Sequence, residues 1–289
     1  MDNNALVAQD DSFGARFGYA RSRLAGAQKP TASTPAYLRF VNRKAGGLLA
    51  AAGYALRLTP TQVTLLSSAA SFSAIAVLIL HRSSALTGIV VSLLLLLGYA
   101  LDSADGQLAR VRGGGSKAGE WLDHVADIAK ISSLHSAVAI ALLRYFDLDS
   151  LLYLAVPVIF LVANVTQFFG MMLRDKLTVA NPAQPGTAGS SSLLVAFLLQ
   201  PLDHGSLALA FLVLGVHTLF LWCYGFLALC TALFAVRSLT KAYRRLLQAE
   251  SGGADPCDAA SAGTDPAGVS ATGATPAASP ALSAAPRLP

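Results

Sequence analysis

Long apolar stretches separated by short polar breaks dominate the chain from residue 60 onwards. An α-helix needs roughly 20 apolar residues to cross the ~30 Å hydrocarbon core of a bilayer. We therefore predict membrane-spanning helices over residues 61–81, 85–109, 117–144, 150–173, 188–201 and 206–237. The fifth stretch is short for a span and the sixth is long, and Leu202–Gly205 is taken as the break between them. The pattern predicts an all-α membrane protein built as a six-transmembrane-helix bundle.

The segments on either side of the bundle read differently. Residues 1–34 are polar and without periodicity, which predicts a disordered cytoplasmic tail. Residues 35–58 mix aliphatic side chains with tyrosines and basic residues, which favours an amphipathic helix lying at the membrane interface; a solvated basic linker is the alternative. The bundle itself is assigned to residues 59–245, with Thr59 and Pro60 as the start signal of its first helix. Residues 246–289 are rich in Ala, Pro and Gly and are predicted to be a disordered tail.

Composition and charge support this assignment. The chain of 289 residues is 54% hydrophobic and only 13% charged. With six spans and a cytoplasmic N-terminus, 17 Lys and Arg residues fall in cytoplasmic segments, whereas only Arg82 and Arg144 fall outside. This asymmetry follows the positive-inside rule. It predicts a multi-pass protein of the cell (inner or plasma) membrane, with both termini and the 110–116 turn on the cytoplasmic side.

Acidic side chains are absent between Asp11 and Asp102, and four aspartates then follow within residues 102–127. Asp102 and Asp105 share one helix face, and Asp123 and Asp127 share another. The run Arg112–Ser116, with three glycines, must end one helix and begin the next, so the hairpin can turn the two pairs towards each other. Carboxylates at such proximity repel unless cations lie among them, and an all-oxygen site favours Mg²⁺ or Mn²⁺. Structural ion pairs with neighbouring basic residues are the competing interpretation.

The same residues form the pattern D-x2-D-G-x2-A-R-x8-G-x3-D-x3-D, with Gly106, Ala109, Arg110 and Gly119 at the other specified positions. This pattern resembles the signature of the CDP-alcohol phosphatidyltransferase family and matches it at every position. The family often has Pro-Asn-x-x-Thr before its first membrane helix; here Thr61 replaces the Asn and Thr64 keeps its place. The resemblance implies attack of an alcohol on the β-phosphorus of a CDP-linked alcohol, release of CMP, and two divalent ions.

The resemblance also assigns roles to individual residues. Metal would be bound by Asp102, Asp105, Asp123 and Asp127, and Asp127 would also be the catalytic general base. The nucleotide and its pyrophosphate would contact a second set: Thr64, Asp105, Gly106, Ala109, Arg110 and Gly119. Close helix packing is the alternative reason for the two glycines. Lys130 could either balance the carboxylates or bind an acceptor phosphate, and Arg174 and Lys176 are further candidates for the acceptor. The histidines at 135, 204 and 217 have no partner pattern and are predicted to be structural.

The donor and acceptor are less specified than the chemistry. CDP-diacylglycerol is the expected donor in phospholipid biosynthesis, and a non-lipid CDP-alcohol such as CDP-inositol is the alternative. Expected partners are an alcohol acceptor, membrane lipids and, by resemblance, a second copy in a homodimer; no nucleic acid is expected. Two other classes compete: a transporter using intramembrane aspartates, and an inactive family member serving as a membrane scaffold.

Overall fold

A computed structural model describes residues 12–26, 34–178 and 193–251, and within these ranges every regular element is helical. The chain divides into two compact units, Met1–Arg244 and Arg245–Pro289. The candidate site described below lies in the first unit. The C-terminal tail was predicted to be disordered from residue 246, but residues 246–251 continue the last helix, and residues 252–289 lie outside the described residues.

In the described part of the chain before residue 59, two short helices precede the bundle. Helix α1 spans Phe13–Gly26, and helix α2 spans Arg43–Ala55 after a π-helical turn over Leu38–Asn42. The prediction of a disordered tail over residues 1–34 is wrong for α1, which buries Ala20 and Leu24 against α2 and the bundle. Helix α2 lies inside the segment predicted to be amphipathic, and its location at a membrane interface stays a prediction.

Among the described residues, five helices are long and apolar enough to cross a membrane. They are α3 (Pro60–Leu80), α4 (Ala85–Val111), α5 (Lys117–Tyr145), α6 (Ala155–Thr178) and, last in the chain, His217–Ser251. The first four match the first four predicted spans. Many large apolar side chains on these helices face outwards, among them Leu80 at 69% and Trp222 at 75% exposure. Such surfaces suit contact with lipid rather than water, and the protein is membrane-embedded.

The region of the predicted fifth and sixth spans departs from a simple helix pair. Helix α7 covers only Leu193–Leu198, and helix α8 covers His204–Ala210 between 3₁₀ turns at Gln200–Leu202 and Phe211–Val213. Residues 188–192 of the predicted fifth span lie outside the described residues. The predicted sixth span, 206–237, is wrong at its start, because the chain turns at Gly215 and Val216 before α9 begins at His217.

Close backbone approach explains this turn. A Cβ on Gly215 would lie 2.5 Å from the backbone nitrogen of Ala85, at the start of α4. Only glycine therefore lets the turn rest against α4, and a helix running straight through position 215 would lose this packing. The apolar α8 and its 3₁₀ turn consequently pack beside α4 as a short element of 10 residues, His204–Val213.

Capping side chains set the helix starts that matter for the site. Thr59 and Gln62 form a reciprocal capping box at α3, with Thr59 Oγ1 accepting from Gln62 N at 3.2 Å and Pro60 in the first turn. Ser116 caps α5 by accepting from Gly119 N at 3.0 Å. Each cap satisfies a backbone donor that the helix itself leaves open. The same ends of α3 and α5 carry candidate site residues, so the caps fix the helix starts from which those residues are positioned.

Candidate active site

The turn between α4 and α5 brings the two aspartate pairs together. Gly113 and Gly114 adopt φ values of +93° and +136°, which side-chain-bearing residues rarely adopt, and α5 then begins at Lys117. Carboxylate oxygens of Asp102, Asp105 and Asp123 lie within 4.8 Å of one another. A second group, formed by Asp123, His124 and Asp127, meets the same distance limit. Asp123 belongs to both groups and therefore connects them.

Asp105 is the most enclosed of the four carboxylates, with 6% of its surface exposed. The hydroxyl of Thr64 on α3 donates to its Oδ2 at 2.7 Å. Such a bond orients the carboxylate, and it engages Thr64 with Asp105 directly. Thr64 therefore belongs to the site through its hydrogen bond to Asp105. The two residues are 41 positions apart, and the sequence pattern did not indicate this contact.

Lys130 joins the two aspartate pairs. Its Nζ lies 2.5 Å from Asp102 Oδ1 and 2.8 Å from Asp127 Oδ1, and it also donates to Ser67 Oγ at 3.4 Å. Of the two roles considered for Lys130, this geometry supports charge balance within the carboxylate cluster. The side chains of the three charged partners are 13–26% exposed, so their interaction is only partly screened by solvent.

The predicted nucleotide-binding residues lie at the same end of the bundle. A Cβ on Gly106 would be 3.6 Å from Arg110 Nη1, and one on Gly119 would be 3.1 Å from Ser116 Oγ and 3.9 Å from Thr61 Oγ1. Ala109 borders the turn, 3.8 Å from a Cβ built on Gly115. Arg110 Nε is buried and has no hydrogen-bond partner in the described part of the chain. A buried guanidinium donor left open in this way fits an anionic ligand group.

Arg174 and Lys176, the other acceptor candidates, contact acidic side chains at the surface. Arg174 Nε donates to Asp175 Oδ1 at 2.9 Å, and Lys176 Nζ lies 3.6 Å from Glu120 Oε1. Glu120 lies in the first turn of α5, one turn before His124 and 3.9 Å from it. Lys176 therefore lies near the start of α5, the end that is predicted to face the cytoplasm. The His124 ring meets the Phe168 ring edge-on, with 5.9 Å between the ring centroids.

A cavity of about 130 Å³ lies beside the carboxylates, inside the helix bundle. Asp102, Asp127 and Lys130 line it, together with residues that the sequence did not single out for the site: Ser71, Gly98, Tyr99, His135 and His204. No spacing or motif connects Ser71 or His204 with the aspartates, since they are 31 residues before Asp102 and 77 residues after Asp127. Only the packing of α8 against α4 places His204 there.

The donor set fits the cations predicted from the sequence. Three carboxylates with oxygens within 4.8 Å of one another offer the hard oxygen ligands that Mg²⁺ and Mn²⁺ prefer, and no thiol belongs to either described group.

The family model described as CDP-alcohol phosphatidyltransferase matches residues 57–225, more than half of the chain and including every aspartate of the site. Comparison with curated proteins gives no significant match.

Proposed function

Because the chain belongs to the CDP-alcohol phosphatidyltransferase family, we propose that it transfers a substituted phosphate from a CDP-linked alcohol to an acceptor alcohol. Family membership makes the protein a transferase of substituted phosphate groups, which favours an enzyme over a transporter. The donor in this proposal is CDP-diacylglycerol, since a membrane bundle lets its acyl chains enter from the lipid. The product is then a phosphodiester lipid, and the reaction belongs to phospholipid biosynthesis.

The observation that carries this proposal is the convergence of Asp102, Asp105 and Asp123 within 4.8 Å at the α4–α5 hairpin. In our proposal these three residues hold divalent cations together with Asp127. When bound, two such ions would supply charge stabilisation for the attacking and leaving oxygens of an in-line displacement. The hydrogen bond from Thr64 and the two contacts of Lys130 hold three of these four carboxylates in place.

The chemical step needs a base near the acceptor, and we assign this role to Asp127. The acceptor oxygen forms a new bond to the β-phosphorus, the bond from that phosphorus to the CMP oxygen breaks, and CMP departs. The proton of the acceptor hydroxyl passes to a carboxylate oxygen of Asp127. Asp127 borders the cavity, where an acceptor hydroxyl can approach it.

The remaining assignments concern donor binding and assembly. Arg110, with its open buried Nε, binds the donor pyrophosphate, while Gly106, Ala109 and Gly119 leave room for the cytidine. The positive-inside asymmetry supports a cytoplasmic position for the hairpin, where cytidine nucleotides are available. A homodimer in the cell membrane completes the proposal.

Release of CMP tests the proposal. Purified protein in detergent is incubated with CDP-diacylglycerol, Mg²⁺ or Mn²⁺ and a panel of acceptor alcohols. We expect metal-dependent CMP release that Asp127→Asn lowers by about 10²-fold or more, the contribution of a positioned general base. Asp149→Asn, the same change at an exposed position outside the site, is the matched control and should retain full activity. Full metal-dependent release by Asp127→Asn would contradict the role assigned to this residue.

A further inference from the structure

The cavity beside the carboxylates extends from the hairpin end of α5 into the bundle. Asp127 and Lys130 line it near one end, and Ile131, Leu134 and His135 line it further along the same helix. His135 lies eight residues after Asp127, which corresponds to about 12 Å along the helix. A ligand in this cavity would therefore have one end at the proposed base and its body between helices.

Positive charge in the cavity is already balanced. Lys130 is the only Lys or Arg among the described lining residues, and it contacts both Asp102 and Asp127. Arg174 and Lys176 do not line the cavity. The cations of the proposed reaction would be matched by the aspartates and the donor pyrophosphate. An acceptor phosphate here would lie beside two carboxylates without a cation of its own, which is unfavourable.

Two neutral polar groups face this cavity with their hydrogen-bonding capacity open. They are the hydroxyl of Ser71 on α3 and the imidazole of His204 at the start of α8. In the part of the chain that the structure describes, neither has a hydrogen-bond partner; the Tyr99 ring contacts His204 at 5.7 Å. A hydroxyl and a neutral imidazole each donate and accept one hydrogen bond or more, as an alcohol does.

The other polar groups at the inner end are engaged. His135 Nδ1 lies 2.6 Å from the Tyr224 hydroxyl, and its Nε2 lies 2.8 Å from Asn164 Nδ2. Both nitrogens of His135 are therefore used within the bundle. Beyond Ser71 and His204, the ligand body would contact apolar side chains such as Ile75, Leu134 and Leu207.

His204 is held in position by its own neighbours. Asp203 Oδ1 accepts from Gly205 N at 2.7 Å, which starts α8, and Asp203 Oδ2 accepts from Leu38 N at 3.0 Å. The Gln200 side chain accepts from Tyr37 N at 2.8 Å. The segment before α2 thus anchors the start of α8, and the His204 ring is presented to the cavity from a defined backbone.

From these observations we propose that the cavity is the acceptor site and that the acceptor is an uncharged polyol carrying no phosphate. Its reactive hydroxyl lies at Asp127, and other hydroxyls bind Ser71 and His204. The C–H surface of the polyol packs on the apolar wall. This inference rests on the proposed function and specifies its substrate class, with His204 as a positioning and specificity residue.

Matched acceptor pairs test the substrate class. Initial rates of CMP release are measured with glycerol against glycerol 3-phosphate and with inositol against inositol 1-phosphate, members that differ only in the phosphate. We expect kcat/KM to be at least about tenfold higher for the uncharged member, equivalent to one or more hydrogen-bonding or charge interactions. A preference for the phosphorylated member in both pairs would overturn the proposal.

Substitution of His204 tests the position of the acceptor. We expect His204→Ala to raise the KM for the polyol by about tenfold with the donor KM unchanged. His204→Gln, which keeps a donor and an acceptor, should recover most of this loss. His81→Ala is the matched control and should behave as wild type, because His81 is exposed and follows the C-terminal end of α3, away from the start of α3 near the aspartates. An equal change in donor and acceptor KM would refute the assignment.

Calorimetric binding of CDP with Mg²⁺ to the same proteins separates this inference from the proposed function. If CDP binds but neither member of any pair supports CMP release, the uncharged-polyol assignment fails while the donor chemistry stands. If CDP does not bind and no CMP is released, the proposed function fails and the acceptor assignment fails with it.

Discussion

Replacing Lys130 by methionine tests how much the positive charge of Lys130 contributes to stability by offsetting the repulsion among the carboxylates. Lys130 Nζ lies 2.5 Å from Asp102 Oδ1 and 2.8 Å from Asp127 Oδ1, and methionine keeps much of the side-chain volume without the cation. The variant therefore leaves two neighbouring carboxylates uncompensated, beside Asp105 and Asp123. We expect loss of stability in the absence of divalent cations.

The size of the effect follows from the contact distances and exposure. At an effective dielectric constant of about 20, one ion pair at this separation is worth about 6 kcal/mol before desolvation is subtracted. Removing one partner of a buried pair typically costs about 3–5 kcal/mol. Because Lys130, Asp102 and Asp127 keep 13–26% exposure, we expect the lower end, about 3 kcal/mol. For a domain of this size that corresponds to a fall in Tm of roughly 6–12 °C.

Thermal unfolding in detergent, with and without Mg²⁺, measures the effect. In chelator, Lys130→Met should unfold at the lower temperature given above. Added Mg²⁺ should raise the Tm of the variant more than that of the wild type, because the cation then compensates the charge that Lys130 balanced. Lys241→Met, at an exposed lysine of α9, is the matched control and should change neither value.

Two outcomes would refute this reasoning. If Lys130→Met has the wild-type Tm in chelator, the two contacts contribute no net stability. If Mg²⁺ stabilises variant and wild type equally, the carboxylates that contact Lys130 are not the ones that bind the cation.

Two further predictions concern the contacts of α3 and α4. Thr64→Val removes the 2.7 Å hydrogen bond to Asp105 and should weaken Mn²⁺ binding, measured by calorimetry, by about 10–100-fold. Thr64→Ser keeps the hydroxyl and should bind Mn²⁺ with near wild-type affinity. Equal affinities for the two variants would contradict the role of the hydroxyl. Gly88→Ala should lower Tm, because the added Cβ would overlap the Phe211 carbonyl oxygen. Gly18→Ala on α1, where an added Cβ would have nothing within 4 Å, should raise helix stability by up to about 1 kcal/mol. A destabilised Gly18→Ala beside an unchanged Gly88→Ala would show that these packing distances do not govern stability.

The predictions that succeeded from sequence alone depended on local patterns. The first four spans could be read from apolar length, and the start of α3 from Thr59 and Pro60, because helix periodicity and capping act within a few residues. The aspartate hairpin could be read for the same reason: glycines 113 and 114 turn the chain, and spacings of three and four residues place each carboxylate pair on one face.

Sequence reasoning failed where a helix depends on what it packs against. Helix α1 carries its apolar residues at helical spacing within a largely polar segment, and Ala20 and Leu24 on that face are buried among residues of α2, α3 and α4. The predicted sixth span reads as continuous apolar sequence, and the turn at Gly215 became visible only through its approach to Ala85. Apolar length alone contains no information about such contacts.

The sequence by itself determined the four aspartates, their helix faces and the glycine turn that lets them meet, since each is a matter of spacing along one hairpin. Only the tertiary structure decided which partners those carboxylates have. Thr64 comes from α3, Lys130 bridges Asp102 to Asp127, and His204 reaches the cavity from α8. These contacts join distant residues, because the free energy that selects them comes from packing whole helices against one another rather than from local propensity.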